Sequence, residues 1–70
     1  MNWIKLSDQL PPFDERILFF SKYPEIIEIG YFDSEHSKAC GIESVYIADS
    51  GNLPLNCYEY WMPLPRPPND

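Results

Sequence analysis

Seventy residues carrying eleven Asp and Glu against five Lys and Arg, a formal net charge of −6, make one small acidic domain with no room for a second. That charge disfavours direct binding of nucleic acid, which draws its affinity from clustered cations and counterion release. It also disfavours an anionic membrane surface. No stretch approaches the roughly 20 apolar residues that cross a bilayer. Met1 to Leu10 has no basic region leading into an apolar run, so no signal peptide is expected and a cytoplasmic location follows. Under reducing conditions Cys40 and Cys57 are expected as free thiols.

In chain order, residues 1–12 read as an N-terminal arm. Trp3, Ile4 and Leu6 open it, and Leu10-Pro11-Pro12 closes it, because each proline lacks an N–H and restricts the residue before it. Trp3 is expected to anchor this arm to the core. Arg16 to Tyr23 is the first strand, apolar on both faces from Ile17 to Phe20, and Tyr23-Pro24-Glu25 turns the chain. Ile26 to Asp33 is the second strand, hairpinned onto the first. Ile27, Ile29 and Tyr31 share one of its faces, and Glu28 and Gly30 the other. Gly30 inside a strand marks a bulge or a close approach of another side chain, such as a tryptophan ring.

Ser34 to Gly41 reads as a long polar loop, and Ile42 to Ala48 resumes strand character. Asp49-Ser50-Gly51-Asn52 is a dense turn signal, followed by an extended Leu53-Pro54-Leu55 and a last strand from Cys57 to Met62. Residues 63–70 form a proline-rich tail, expected to run as polyproline II. The predicted fold is therefore mainly β: a small antiparallel sheet of three to four strands over residues 13–62. Both terminal arms pack across it, bringing Trp3 and Trp61 over an otherwise wet apolar face.

Chemistry-bearing residues are few. His36-x-x-x-Cys40, with Cys57, could serve a small metal- or thiol-dependent enzyme. Structural zinc sites carry paired ligands at both ends, however, and only one half is present. No glycine-rich phosphate cradle or oxyanion-hole loop is recognisable, so no catalytic residue, metal or cofactor is expected. Pro65-x-x-Pro68 could dock in an aromatic groove, but the tail more simply covers its own sheet, with Leu64 as its buried side chain. The tyrosines are the better lead. Tyr31, Tyr46, Tyr58 and Tyr60 could line a binding face, since tyrosine supplies rigid amphipathic contact area.

Four motifs recur together in one family: Trp3-Ile4-x-Leu6 with Leu10-Pro11, Ile17-Leu18-Phe19, Gly30-Tyr31-Phe32-Asp33, and Trp61-Met62-Pro63-Leu64-Pro65. Over nearly its whole length the chain resembles the family known as domain of unknown function 551, short proteins found largely in bacteriophages and prophages. The resemblance implies a cytoplasmic accessory protein of a bacterial host and carries no activity with it. Members often have histidine where this chain has Tyr60, and a tryptophan where it has Val45-Tyr46. A shared scaffold is implied, without a shared active site. The resulting expectation is a non-enzymatic module that binds an unknown host or phage protein. In one version its acidic side chains converge to imitate nucleic acid. A homodimer formed through a sheet edge is a further possibility.

Overall fold

A computed structural model of the chain describes residues 2–65. Six strands and one helix follow in the order β1 (Ile4–Lys5), β2 (Ile17–Lys22), β3 (Glu25–Phe32), α1 (Ser34–Cys40), β4 (Ser44–Ile47), β5 (Gly51–Pro54) and β6 (Tyr60–Pro63). All the strands join one antiparallel sheet in the order β1-β6-β2-β3-β4-β5. The mainly β expectation holds, but the sheet has six strands where three to four were expected. The two extra strands are β1, only two residues long, and β5, which occupies Gly51 and Asn52 of the expected turn and ends on Pro54. β1 is too short to show a period of two, and the Gly-Asn-Leu-Pro of β5 carries a single large apolar residue, Leu53.

The helix is the second correction. Ser34 to Gly41 is not a loop: Asp33 caps α1 by accepting the His36 N–H at 3.1 Å, and Gly41 closes it at φ 73° in the left-handed region. At seven residues, α1 falls below the length at which an apolar period becomes visible. The capping pair Asp33 and Gly41 was the available signal.

The outermost strands in sequence, β1 and β6, do not lie across the sheet; they are part of it. β6 is inserted between β1 and β2, with Trp61 opposite Ile4 on one side and Phe19 on the other. Trp61 is buried, and its indole N–H donates to the Gln9 carbonyl at 2.9 Å, tying the β1–β2 connection to the last strand. Trp3 does not join it. Its ring sits against Phe20 at 5.6 Å, on the opposite face of the sheet, where it is 37% exposed. Leu64 is half-buried; residues 66–70 of the expected tail lie outside the described residues.

The register fixes which side chains share a face. Ile17 pairs with Gly30 and Gly30 with Ile47, Phe19 pairs with Trp61, and Phe32 pairs with Val45, so these residues form the inner face. Leu6, Leu55 and Tyr58 close the core over it. Leu55 lies in a 3-10 turn, Leu55–Cys57, that replaces the start of the expected last strand. Phe13 stacks on Phe32 at 4.3 Å and pins the loop before β2 to the end of β3. Among the described residues, no helix is long and apolar enough to cross a membrane.

Candidate functional site

The inner face uses the less apolar side of β3. Glu28 and Gly30 point into the core layer, while Ile27 and Ile29 point away from it and are 56% and 43% exposed. Gly30 can occupy its position because the carbonyl of Tyr46 and the Ile47 side chain approach it so closely that no β-carbon would fit. A side chain does approach this glycine, that of Ile47 and not a tryptophan ring, and the backbone carbonyl of Tyr46 comes closer still. Glu28 is half-buried beside Tyr58.

The opposite face is apolar and is open over β3 and β4, while on its β6 side Met62, opposite Leu18, is buried. Pairings of Leu18 with Ile29, Phe20 with Ile27, and Tyr31 with Tyr46 carry it across β2, β3 and β4. Tyr31 and Tyr46 stack with ring centroids 5.3 Å apart. On the β6 side Tyr60 pairs with Phe20, their rings 5.9 Å apart. An open groove of about 800 Å³ runs along this face, with Ile27, Ile29, Tyr31 and Tyr46 in its wall, Arg16 at one end and Asp49 beside it. Isolated exposed apolar residues are ordinary, but a contiguous set of them marks a contact surface.

Three of the four tyrosines expected on a binding face lie on this side of the sheet, Tyr31 and Tyr46 as a stacked pair and Tyr60 apart from them beside Phe20. Tyr58 does not. It is 6% exposed in the core on the other side, with its ring 5.3 Å from Phe19. Burial, reinforced by the charge of Glu28, pushes its phenol up to about 12. The isoleucines at the centre of the open face were legible as one side of a strand; that this side is the exposed one was not.

One end of the open face is acidic. Asp14, Asp33 and Glu35 gather near Tyr31 and Arg16. Two of these carboxylates already serve the fold. Asp14, at φ 61°, accepts the Ser34 hydroxyl at 2.6 Å and its N–H at 3.2 Å. Asp33 accepts from His36 and from the Asn52 amide at 3.1 Å. The His36 N–H, followed by Asn52, holds the Asp33 carboxyl below its ordinary range. Desolvation, followed by the charge of Asp33, raises the Tyr31 phenol.

His36 and Cys40, one turn apart on α1, bring Nε2 and Sγ within 3.3 Å. Both Cys40 and Cys57 are free and exposed. Among the described residues no three His, Cys, Asp or Glu side chains come close enough to share a metal ion, so Cys57 does not complete a ligand set with the helical pair.

Fold and site together define a single-sheet β protein with one face covered by its own chain and the other open. The chain belongs to the family described as Protein of unknown function (DUF551), whose model matches residues 2–69. Comparison with curated proteins and with solved structures finds no match.

Proposed function

We propose that the chain is a non-enzymatic protein-binding module, a small acidic accessory protein of phage or prophage type. It acts in the cytoplasm of a bacterial host and contacts a host or phage protein through the open face of its sheet. One observation carries this reading: β3 turns Glu28 and Gly30 inward and leaves Ile27 and Ile29 in solvent. Leaving two isoleucines in water costs free energy that a partner covering the face would recover. The motif resemblance supports the phage setting, and no cofactor enters the reading.

The test is capture from bacterial lysate with the wild-type chain and with Ile29→Asp as bait. A protein retained by the first and lost with the second supports the reading. No protein retained, together with unchanged host growth on expression, removes it.

A second reading, thiol chemistry at Cys40, is favoured by the 3.3 Å contact with His36. A thiol within hydrogen-bond reach of an imidazole is the arrangement of a Cys–His nucleophile. Alkylation of Cys40 should then outpace that of Cys57 at neutral pH and slow in His36→Ala. Equal rates remove this reading, and elemental analysis of protein purified without chelator tests the metal form.

A further inference from the structure

We infer that the unpaired edge of β3 accepts an added strand, an extended segment of a partner protein in which apolar residues alternate with lysine or arginine. The inference rests on the binding reading above and names the chemistry of its partner. A vacant row in the sheet, a groove along that row and the sign of its charge carry it.

β3 runs from Glu25 to Phe32 and pairs with β2 from Glu25 to Gly30. On its other side β4 meets only Gly30, Tyr31 and Phe32. Beyond Ile47 the chain turns away to β5, the Ser50 N–H donating to the Ile47 carbonyl at 3.1 Å. The row beside residues 25–29 is therefore vacant among the described residues. Hydrogen bonds fix which backbone groups face it. The Asp33 N–H donates to the Ser44 carbonyl at 2.9 Å, and the Phe32 carbonyl, turned the other way, accepts the Asp14 N–H at 2.8 Å. Alternation along β3 then points the N–H and C=O of Ile27, and the N–H of Ile29, into the vacant row. These are the groups through which a strand adds to a sheet.

The groove of about 800 Å³ follows the same row, walled by residues 26–31 and ended by Ala48, Asp49 and Ser50 where β4 stops. At about 3.3 Å per residue the row is roughly 17 Å long, enough for a short strand. Neither outer edge offers as much: β1 has two residues, and β5 has four, ending on Pro54 without an N–H.

Charge selects the partner. Glu28 and Asp49 line the groove, and Glu25 ends the row. Two cations stand nearby. Lys22, opposite Glu25, has the Glu59 carboxylate 3.1 Å from its N–H, and Arg16, at the far end, borders the hollow of Asp14, Asp33 and Glu35. Carboxylates therefore prevail along the row. An added strand sets one side chain opposite Glu28 in the closer, non-hydrogen-bonded kind of pair, which favours lysine or arginine and repels a carboxylate. The residues on either side of it fall opposite Ile27 and Ile29 on the open face, where apolar side chains cover them.

A second copy of this chain fits the row poorly. Set antiparallel with Ile27 opposite its own counterpart, it would bring Pro24 opposite Gly30, a place Ile47 already holds. Sliding the copy clear sets Ile27 opposite Glu25 and adds carboxylates to an acidic edge.

The test is a fluorescence-anisotropy titration of the full chain with a short blocked peptide alternating valine and lysine. Saturable binding below about 1 mM is expected, with amide hydrogen exchange slowed at Ile27 and Ile29. Exchange at Ile26 and Glu28, whose N–H groups turn to β2, should not change. Glutamate in place of lysine should weaken binding at least ~10-fold, as should N-methylation of alternate peptide nitrogens along the pairing edge. Ile27→Pro removes one N–H from the row while sparing the β2 ladder, and should cost at least ~10-fold too; its thermal melt shows that it folds. No saturable binding, or equal binding by the N-methylated peptide or by folded Ile27→Pro, overturns the inference. Equal binding of the glutamate peptide overturns the basic partner. Slow exchange at Ile27 in the free chain overturns it as well: sedimentation then assigns the row to a second copy if the chain is dimeric, and to residues 66–70 if it is monomeric. Failure of the peptide beside Ile29-dependent capture from lysate overturns the added strand alone and leaves the binding reading. Failure of both removes both.

Discussion

Gly30 in β3 lies so close to the carbonyl of Tyr46 in β4 that a β-carbon on residue 30 would overlap it. The two strands are hydrogen-bonded neighbours, and Gly30 is opposite Ile47 in the register. A side chain here has to separate β3 from β4 or displace Ile47, which is almost wholly buried. Gly30→Ala should therefore destabilise the domain by about 2–4 kcal/mol, within the range of strain and overpacking effects. Urea titration followed by circular dichroism measures it. A loss below about 0.5 kcal/mol would mean that the sheet relaxes without cost.

The position of β6 predicts the effect of truncation. Removing residues 61–70 takes Trp61 out of the core and separates β1 from the rest of the sheet. The shortened chain should show no cooperative melt. If it does, the last strand is a surface addition and its contribution to the core has been misjudged.

Two isoleucines of similar chemistry should respond in opposite ways. Ile47→Ala empties a buried position and should cost about 2–5 kcal/mol. Ile29→Ala changes a side chain that is 43% exposed, and should change the stability of the monomer by no more than about 0.5–1 kcal/mol. Unfolding at low protein concentration separates these effects from any association. Equal losses would place Ile29 in the core and remove the open face.

Tyr58 makes stability depend on alkaline pH. Its phenol is raised from an ordinary 10.0 to about 12, so the folded state holds this proton more tightly than the unfolded chain does. Its contribution is complete below pH 10 and is lost as pH rises from 10 toward 12, by on the order of 1 kcal/mol per unit. Tyr58→Phe should flatten this part of the profile relative to wild type, as read from urea midpoints at pH 9, 10 and 11. Parallel profiles would show that Tyr58 ionises freely in the folded protein.

Asp33 acts at the other end of the pH scale. As the cap of α1 it is held below its ordinary 3.8, so its contribution is present above that pH and is lost as pH falls through the lower folded value. Asp33→Ala should cost about 0.5–2 kcal/mol at neutral pH. The difference from wild type should shrink as pH falls below 3.8 and through the lower folded value, where the capping carboxylate takes up its proton.

The features legible in the residues themselves are those that depend on neighbours along the chain. The β2–β3 hairpin follows from Ile17 to Phe20, Pro24 and the alternation of Ile27, Ile29 and Tyr31. The need for no side chain at residue 30 is written in a glycine set inside a strand. The resemblance at both ends placed the chain in its family. Short elements were harder to read: β1 and β5 are strands only because β6 and β4 pair with them. With so few residues, each draws its stability from a neighbour rather than from its own pattern. The helix α1 was marked by Asp33 and Gly41, but seven residues are too few for a period to show.

Which face of the sheet is inside follows from packing between distant segments alone. Period-two alternation sorts side chains into two sets and says nothing about which set meets the core. In β3 the more apolar set faces solvent, because Leu55, Tyr58 and Trp61 close over the side that carries Gly30 and Glu28. The same packing puts Tyr58 in the core and leaves Tyr31, Tyr46 and Tyr60 on the open face. That choice depends on which distant segments return to cover the sheet, a matter of long-range burial that no local pattern encodes.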